Sequence, residues 1–348
     1  MKKHICVLFG GKSAEYPISL RSCASVLKNI DRDKYSITTV GITKDGVWYL
    51  YDGSIENIEN DTWLSGNLKR VCLDHNPADP CLLVMDGEGI GKIKIDVYFP
   101  VLHGTNGEDG KLQGLFDMAG VKYVGVGLLA SAMGMDKEYA KIVFRHAGIN
   151  QADWVTVHDY DDRDSKIWEI ENKFEYPVFV KPANAGSSFG IGKAYDREQL
   201  ISAMDNAFKF DRKIIVEEFL KGHEVECAVL GNSGDVKAST VGEIVADEDF
   251  YTFDSKYSAT SQTKLHIPAL ISEDAIEKVR TLAVKAFEAL SGRGLSRVDF
   301  FVDGEEVRIN EINTLPGFTS ISMYPKLFGY EGIEFTDLLT ALIELAQK

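Results

Sequence analysis

The stretch HICVLFGG, His4 to Gly11, constrains the fold most. It is a short apolar run that stops at a glycine pair, and it reads as a buried strand ending in a tight turn. The next segment, ISLRSCASVLKNI, changes period. Cys23, Val26, Leu27 and Ile30 are spaced for one face of a helix. YSITTVGI and DVYFPVL read as further strands, and KLQGLFDMAG as a helix that stops at Gly120. Strands alternating with helices predict a doubly wound α/β domain over residues 1–124. Residues 53–92 are polar and contain glycine, and an irregular insertion is expected there.

A chain of 348 residues has room for two or three domains. A second block, 125–221, carries a helix around MDKEYAKIVFRHAG, the strand YPVFVKPA, the loop NAGSSFGIGKA, the helix REQLISAMDNAF and the strand KIIVEEFL. A third, 222–348, carries the strand EVECAVLG, a long loop from about Val245, the helix EDAIEKVRTLAVKAFEAL, the strands LSRVDFFV and EVRINEI, and a closing helix from about Phe335.

Charge and cysteines exclude several classes. A net charge of −15 opposes nonspecific binding to nucleic acid or to acidic membranes, though a local lysine cluster can still hold an anion. The five cysteines are odd in number and form no CxxC pair, which fits a reducing compartment and neither a disulfide framework nor a zinc site. The apolar N-terminal run is too short for a signal peptide, and no run approaches the ~20 apolar residues of a membrane span. A cytoplasmic protein is expected.

The chemistry gathers in a few segments. In RINEINTLPGFTS, Glu311 and Asn313 lie two apart in a strand and share a face, while Ile312 points to the other side. Asp299, in RVDFF, shares a face with Arg297 on the preceding strand. Asp299, Glu311 and Asn313 together offer hard oxygen ligands suited to Mg²⁺. A buried Arg297–Asp299 ion pair is the plainer reading, and Glu311 tips the balance toward metal. NAGSSFGIGKA serves equally as a phosphate cradle or as a hairpin turn. It is not a Walker A loop, because Gly186 to Gly192 is one residue too long and Ala194 follows Lys193. Lys181, ending an apolar strand just before it, favours phosphate; Lys137 alone reads as a solvated helix residue. Glu217, Glu218 and Glu224 flank an apolar hinge that can read adenine through its backbone, or are simply acids on a strand edge. Glu15 sits in a strand-to-helix loop, where ligand sites occur and where helix-start carboxylates also occur. His103, Glu108 and Asp109 occupy a second such loop, rich in glycine, in which the two acids also suit a helix start.

Seven motifs, GGKSAEYPISL, LHGTNGEDGKLQG, SAMGMDKEYAK, VKPANAGSSFG, DSKYS, SRVDFF and NEINTLPGFTSISMYP, resemble in content and order those of the D-alanine–D-alanine ligases, of the ATP-grasp superfamily. The resemblance spans nearly the whole chain and is weakest over 53–92. It implies a three-domain α/β ATP-grasp architecture with an N-terminal doubly wound (pre-ATP-grasp) domain. The activity implied is ATP-dependent joining of two D-alanines through a D-alanyl phosphate, for peptidoglycan precursors. Lys137, Lys181, Ser188, Glu217, Glu218, Phe219, Leu220, Glu224 and Lys256 would then contact ATP. Asp299, Glu311 and Asn313 would hold two Mg²⁺ or Mn²⁺ ions. Glu15, Ser187, Tyr257, Arg297 and Gly317 would act in catalysis, and His103, Glu108, Ser322 and Met323 at the substrates. The family is usually dimeric, so a homodimer is expected. Variant ligases of the vancomycin-resistance type, which use D-serine or D-lactate as second substrate, are the alternative. Those that use D-serine tend to carry arginine at the Met323 position.

Overall fold

The computed structural model describes residues 2–66, 68–87, 89–186, 189–245 and 264–348. Its strands form three sheets among the described residues. The first comprises β1 (Lys3–Gly10), β2 (Tyr35–Ile42), β3 (Trp48–Tyr51), β4 (Lys69–Leu73), β5 (Leu82–Asp86), β6 (Gly89–Ile93) and β7 (Val97–Pro100), in the order β6-β5-β4-β3-β2-β1-β7. The strand β1 is parallel to both β2 and β7. Its alternate residues separate to two sides. Ile5, Val7 and Phe9 pack toward helix α1 (Tyr16–Asn29), whereas Cys6 and Leu8 pack with Leu112 and Phe116 of α3 (Lys111–Ala119). Helices on both faces of a parallel centre are what the alternation of strand and helix predicted.

The segment 53–92 corrects the expectation of an irregular insertion. It holds the short helix α2 (Ile55–Glu59) and then β4, β5 and β6, which extend the sheet as an antiparallel meander. Val71 and Leu73 are buried while Arg70 and Cys72 are exposed, so the period of two is present, but over five residues only. Polar composition hid it.

The second sheet is antiparallel, in the order β10-β9-β11-β8, from β8 (Trp154–His158), β9 (Val178–Pro182), β10 (Gly192–Ala194) and β11 (Lys213–Glu218). Helices α4 (Leu128–Met135) and α5 (Lys137–His146) precede it, with Asp136 capping α5 by accepting from the Glu138 and Tyr139 N–H groups. Helices α6 (Arg163–Lys173) and α7 (Arg197–Ala207) bury Ile167, Ile170, Leu200 and Met204 against it. The third sheet, also antiparallel, has the order β14-β13-β12-β15-β16. Its strands are β12 (His223–Asn232), β13 (Asp235–Val245), β14 (Lys264–His266), β15 (Gly294–Asp303) and β16 (Glu306–Asn313). The long loop expected from about Val245 falls on residues 246–263, which lie outside the described residues; β13 itself runs through Val245. Helix α8 (Glu273–Ala289) covers this sheet through Val279, Ala283 and Phe287.

Two further helices follow, α9 (Met323–Tyr330) and α10 (Phe335–Leu345). Leu338, Leu339, Leu342 and Ile343 of α10 join the cluster that contains Ile5, Val7, Phe9 and Val26, so the core of the first sheet is completed by residues more than three hundred positions away. Among the described residues no helix is long and apolar enough to cross a membrane.

Candidate active site

A cleft of about 1390 Å³ is lined by residues of the second and third sheets and, from the first unit, by Glu15, Ile18 and Arg21 after β1 and by His103 and Glu108 after β7. One wall is the β15–β16 pair. Arg297 faces Asn313, and Asp299 faces Glu311, across that pair. The register then slips, Phe300 pairing with Ile309 and leaving Asn310 as a bulge. The slip explains the sequence pattern. Val307 and Ile309 keep a period of two in the core, Ile312 rejoins it three residues later, and Glu311 and Asn313 are left facing the cleft.

The Arg297–Asp299 ion pair is present. Arg297 donates from Nε and Nη2 to the two Asp299 oxygens at 2.7 and 2.6 Å, and its Nε lies 3.1 Å from Glu226 Oε2. Burial alone would lower the guanidinium, but Asp299, Glu226 and Glu311 outweigh it and hold it well above the usual arginine range. Asn313 donates from Nδ2 to Asp299 Oδ2 at 3.1 Å, which leaves the amide oxygen as the atom Asn313 can offer a cation. Among the described residues no group of three or more His, Cys, Asp or Glu is placed to hold a metal. The set here is two carboxylates and an amide. Few, hard protein oxygens suit a Mg²⁺ that takes its other ligands from water and phosphate. Glu311 and Asn313 line the cleft, while Asp299, 4% exposed, sits behind them.

Opposite lies a lysine cluster. Glu217, at the end of β11, is buried, and its two oxygens meet Lys141 Nζ at 2.6 Å and Lys181 Nζ at 2.5 Å. Burial would raise this carboxyl, but the two ammoniums outweigh it and hold it at about 2. The hinge position sought for adenine is therefore left to backbone groups, since both Glu217 oxygens are engaged. Lys181 also approaches Asn310 Oδ1, at 3.3 Å, so the bulge touches this wall too. Lys137 donates from Nζ to the Ala185 carbonyl at 2.7 Å, at the start of the glycine-rich loop. Phe219 stacks with Phe179 at 6.0 Å, and Lys193 lies 4.3 Å over the Phe219 ring. Glu218 accepts from the Asp153 N–H, while Leu220 and Glu224 line the cleft.

At the other end, three loops close on Glu15. A Cβ at Gly104, where φ is +70°, would stand 2.2 Å from Glu15 Oε2, and one at Gly186 would stand 2.9 Å from it. Glycine at both positions is what lets the His103 loop and the glycine-rich loop approach this carboxylate. Glu108 accepts from the Gly104 N–H at 2.7 Å. Burial and the neighbouring Glu15 charge push its carboxyl up to about 8. His103 is buried and serves as a clip. Its Nδ1–H donates to the Leu315 carbonyl at 3.2 Å, and Nε2 accepts from Ser22 Oγ at 3.1 Å. Ser22 Oγ in turn accepts from the Phe318 N–H. The clip ties the turn around Gly317 to α1 and the His103 loop, and burial lowers the imidazole to about 4. Asp109 accepts from the Asn106 N–H and pairs with Lys111, and so keeps to its helix-start role. Ser322 precedes α9 and accepts from the Thr319 N–H, and Met323 packs into the apolar core.

The cleft thus gathers every described expected residue except Asp299 into its lining. Ser187, Ser188, Lys256 and Tyr257 lie outside the described residues. Lys141, Phe179 and Glu226 were missed. Lys141 stands one helical turn after Lys137 in a quoted motif, and that spacing was a usable signal. Glu226 is two residues beyond Glu224 on an apolar strand, so it shares its face.

Residues 4–126 match the D-ala D-ala ligase N-terminus family and residues 143–344 the D-ala D-ala ligase C-terminus family. Among curated relatives, the D-alanine–D-alanine ligase of Acetivibrio thermocellus is 51% identical over 99% of this chain and 96% of its own length. That of Ruminiclostridium cellulolyticum is 48% identical over 99% and 95%. Among solved structures, the VanG D-Ala:D-Ser ligase of Enterococcus faecalis superposes with a TM-score of 0.91 at 41% identity, over 99% of this chain and all of that one. The D-alanine–D-alanine ligase of Coxiella burnetii superposes with a TM-score of 0.86 at 34% identity, over 99% and 95%. With matches of this extent to both family halves, and with the ATP-grasp architecture they share, the chain belongs to the D-alanine–D-alanine ligase family.

Proposed function

We propose that the protein uses ATP to join two D-alanines into D-alanyl-D-alanine, a peptidoglycan precursor, releasing ADP and phosphate. The observation that carries this reading is the meeting, in one cleft, of a lysine-rich end and a carboxylate-rich end, closed together by Gly104 and Gly186 around Glu15. ATP lies along Lys137 and Lys181, with adenine at the backbone of 217–220 beside the stacked Phe179 and Phe219 rings and the ribose at Glu224; Ser188 and Lys256 complete the phosphate contacts. Asp299, Glu311 and Asn313 would hold two Mg²⁺ or Mn²⁺ ions, which when bound would supply neutralisation of the phosphate oxygens.

Glu15 holds the ammonium of the first D-alanine, so that its carboxylate oxygen attacks the γ-phosphorus and the bond to ADP breaks. The acyl phosphate then meets the amine of the second D-alanine. That amine gives up a proton and forms the C–N bond, and phosphate leaves. Arg297 and the Gly317 N–H bind the oxyanion of the tetrahedral state. Ser322 and Met323 receive the second carboxylate at the start of α9, a helix whose N-terminus has no side-chain cap and attracts negative charge. Ser187 and Tyr257 complete the site around Glu15. We place three units at 1–124, 125–221 and 222–348, a homodimer, and a cytoplasmic location where ATP is at hand.

A D-serine acceptor is the second reading, prompted by the VanG likeness. Met323 argues for alanine: it is 5% exposed in an apolar cluster and would stand against a methyl group, where the ligases that use D-serine tend to carry arginine. An ADP-release assay with D-alanine, D-serine and D-lactate decides. One ADP per D-alanyl-D-alanine is expected; ADP release only with D-serine or D-lactate as acceptor would replace this reading, and none with any would remove it.

A further inference from the structure

Lys141 has no place in the chemistry above, yet it is 3% exposed and lines the cleft. An ammonium buried this deeply is costly unless it is paired and hydrogen-bonded. Its neighbours on α5, Ala140 and Phe144, are apolar core residues. Its partners are Glu217 Oε1 at 2.6 Å and the Ala152 carbonyl at 3.1 Å. These contacts account for how Lys141 is tolerated and not for why it is there. Glu217 alone would balance Lys181, and an apolar residue at 141 would complete an ordinary core.

The charge count is the informative quantity. Two ammoniums share the Glu217 carboxylate, so within this triad one positive charge exceeds what Glu217 neutralises, while Glu224 and Glu311 also attract Lys181 and Asp153 attracts Lys141. We propose that Lys141 is a positioning residue for the nucleotide: by holding one oxygen of Glu217 it keeps that carboxylate from neutralising Lys181 alone, and leaves a positive charge for phosphate to take up. Lys141 acts through Glu217 and Lys181 and touches no reacting atom. The burial that makes it costly also makes the surplus charge effective, since Coulomb interactions are weakly screened there. The inference rests on reading the cleft as the ATP site.

The test is direct titration of the full-length protein with ATP and Mg²⁺, alongside steady-state kinetics. Lys141→Gln can still donate to Glu217 and to the Ala152 carbonyl, so it keeps the hydrogen bonds and drops the charge. Its Kd for ATP is expected to rise about tenfold or more, with kcat at saturating ATP within about threefold of the wild type, the split expected of lost ground-state binding. Adding Glu217→Gln should return Kd toward the wild-type value, because Lys181 then keeps its full charge. Lys141→Arg, which retains the charge, should stay within about threefold. A Lys141→Gln protein of unchanged Kd, or a double variant weaker than Lys141→Gln, overturns the inference, because a purely structural lysine predicts additive losses. Should the wild type itself fail to bind ATP, the reading of the cleft falls instead, so the two failures are distinguishable.

Discussion

Glu217 and Glu108 are two carboxylates in one cleft with opposite fates. Lys141 and Lys181 hold Glu217 at about 2, against the effect of burial. Burial and Glu15 push Glu108 up to about 8. The contrast extends to whole regions. At the end read as the nucleotide's, among the described residues, Lys141 and Lys181 hold Glu217 and Lys137 reaches the Ala185 carbonyl. At the substrate end Glu15, Glu108, Glu226, Asp299 and Glu311 gather about Arg297. One end is built to receive an anion, and the other to receive cations. A polyphosphate with its metal ions and an amino acid with its ammonium fit that polarity in one orientation. The net charge of −15 over the whole chain says nothing of this, because the ends are set locally.

The largest blow to this polarity falls where the ends meet. Glu311→Gln removes a metal-binding charge, and kcat should fall by on the order of 10² or more, measured by ADP release at saturating Mg²⁺. Near-wild-type turnover would take the metal role from this edge. Lys181→Ala weakens the nucleotide end. The loss of a charge-assisted hydrogen bond, roughly 1.5–3 kcal/mol, lowers kcat/KM for ATP roughly 10- to 150-fold, while the KM for D-alanine changes little. Equal losses in both would show that the ends are not separable.

The smallest effects are those of pH. An ammonium beside Glu15 relieves the repulsion that raises Glu108, so D-alanine binding should release a proton. Its affinity should then rise with pH up to about 8, by at most about tenfold per unit, and Glu108→Gln should flatten the slope. For the ligand-free fold the sign is opposite. The raised Glu108 contributes stability that is present below about 4.5, its ordinary value, and lost as pH climbs through about 8. His103, lowered to about 4, contributes stability above its ordinary 6.5 that is lost as pH falls through about 4. Melting temperatures of Glu108→Gln and His103→Asn should flatten the alkaline and acid limbs respectively. A limb that keeps its slope acquits the residue.

Much of this site was legible because its residues lie in short motifs whose periods are strong. Glu311, Ile312 and Asn313 alternate as a strand requires, and the three-step gap from Ile309 to Ile312 marks the bulge. Lys181 ends an apolar strand, and the structure has it there. Other features depend on distance in space. That Glu217 would meet Lys141 from a helix more than seventy residues earlier cannot be read from either segment. The clip from His103 to Leu315 likewise joins residues 212 apart. In the first sheet, β4 to β6 escaped notice because strands of five residues give few repeats to a period of two.

Time enters through helix α10. On a ribosome, the strand carrying Val7 and Phe9 emerges long before the helix bearing Leu338, Leu339, Leu342 and Ile343 that completes their cluster. At about 5–20 residues per second, roughly 10–45 s separate the end of the first 124 residues from that helix. Throughout that interval the nascent first sheet can cover one flank with α3, while its other flank has α1, Ile58 and Trp63 but still waits for α10. The sheet translated early is thus finished late, and its uncovered apolar flank is the surface exposed during that wait.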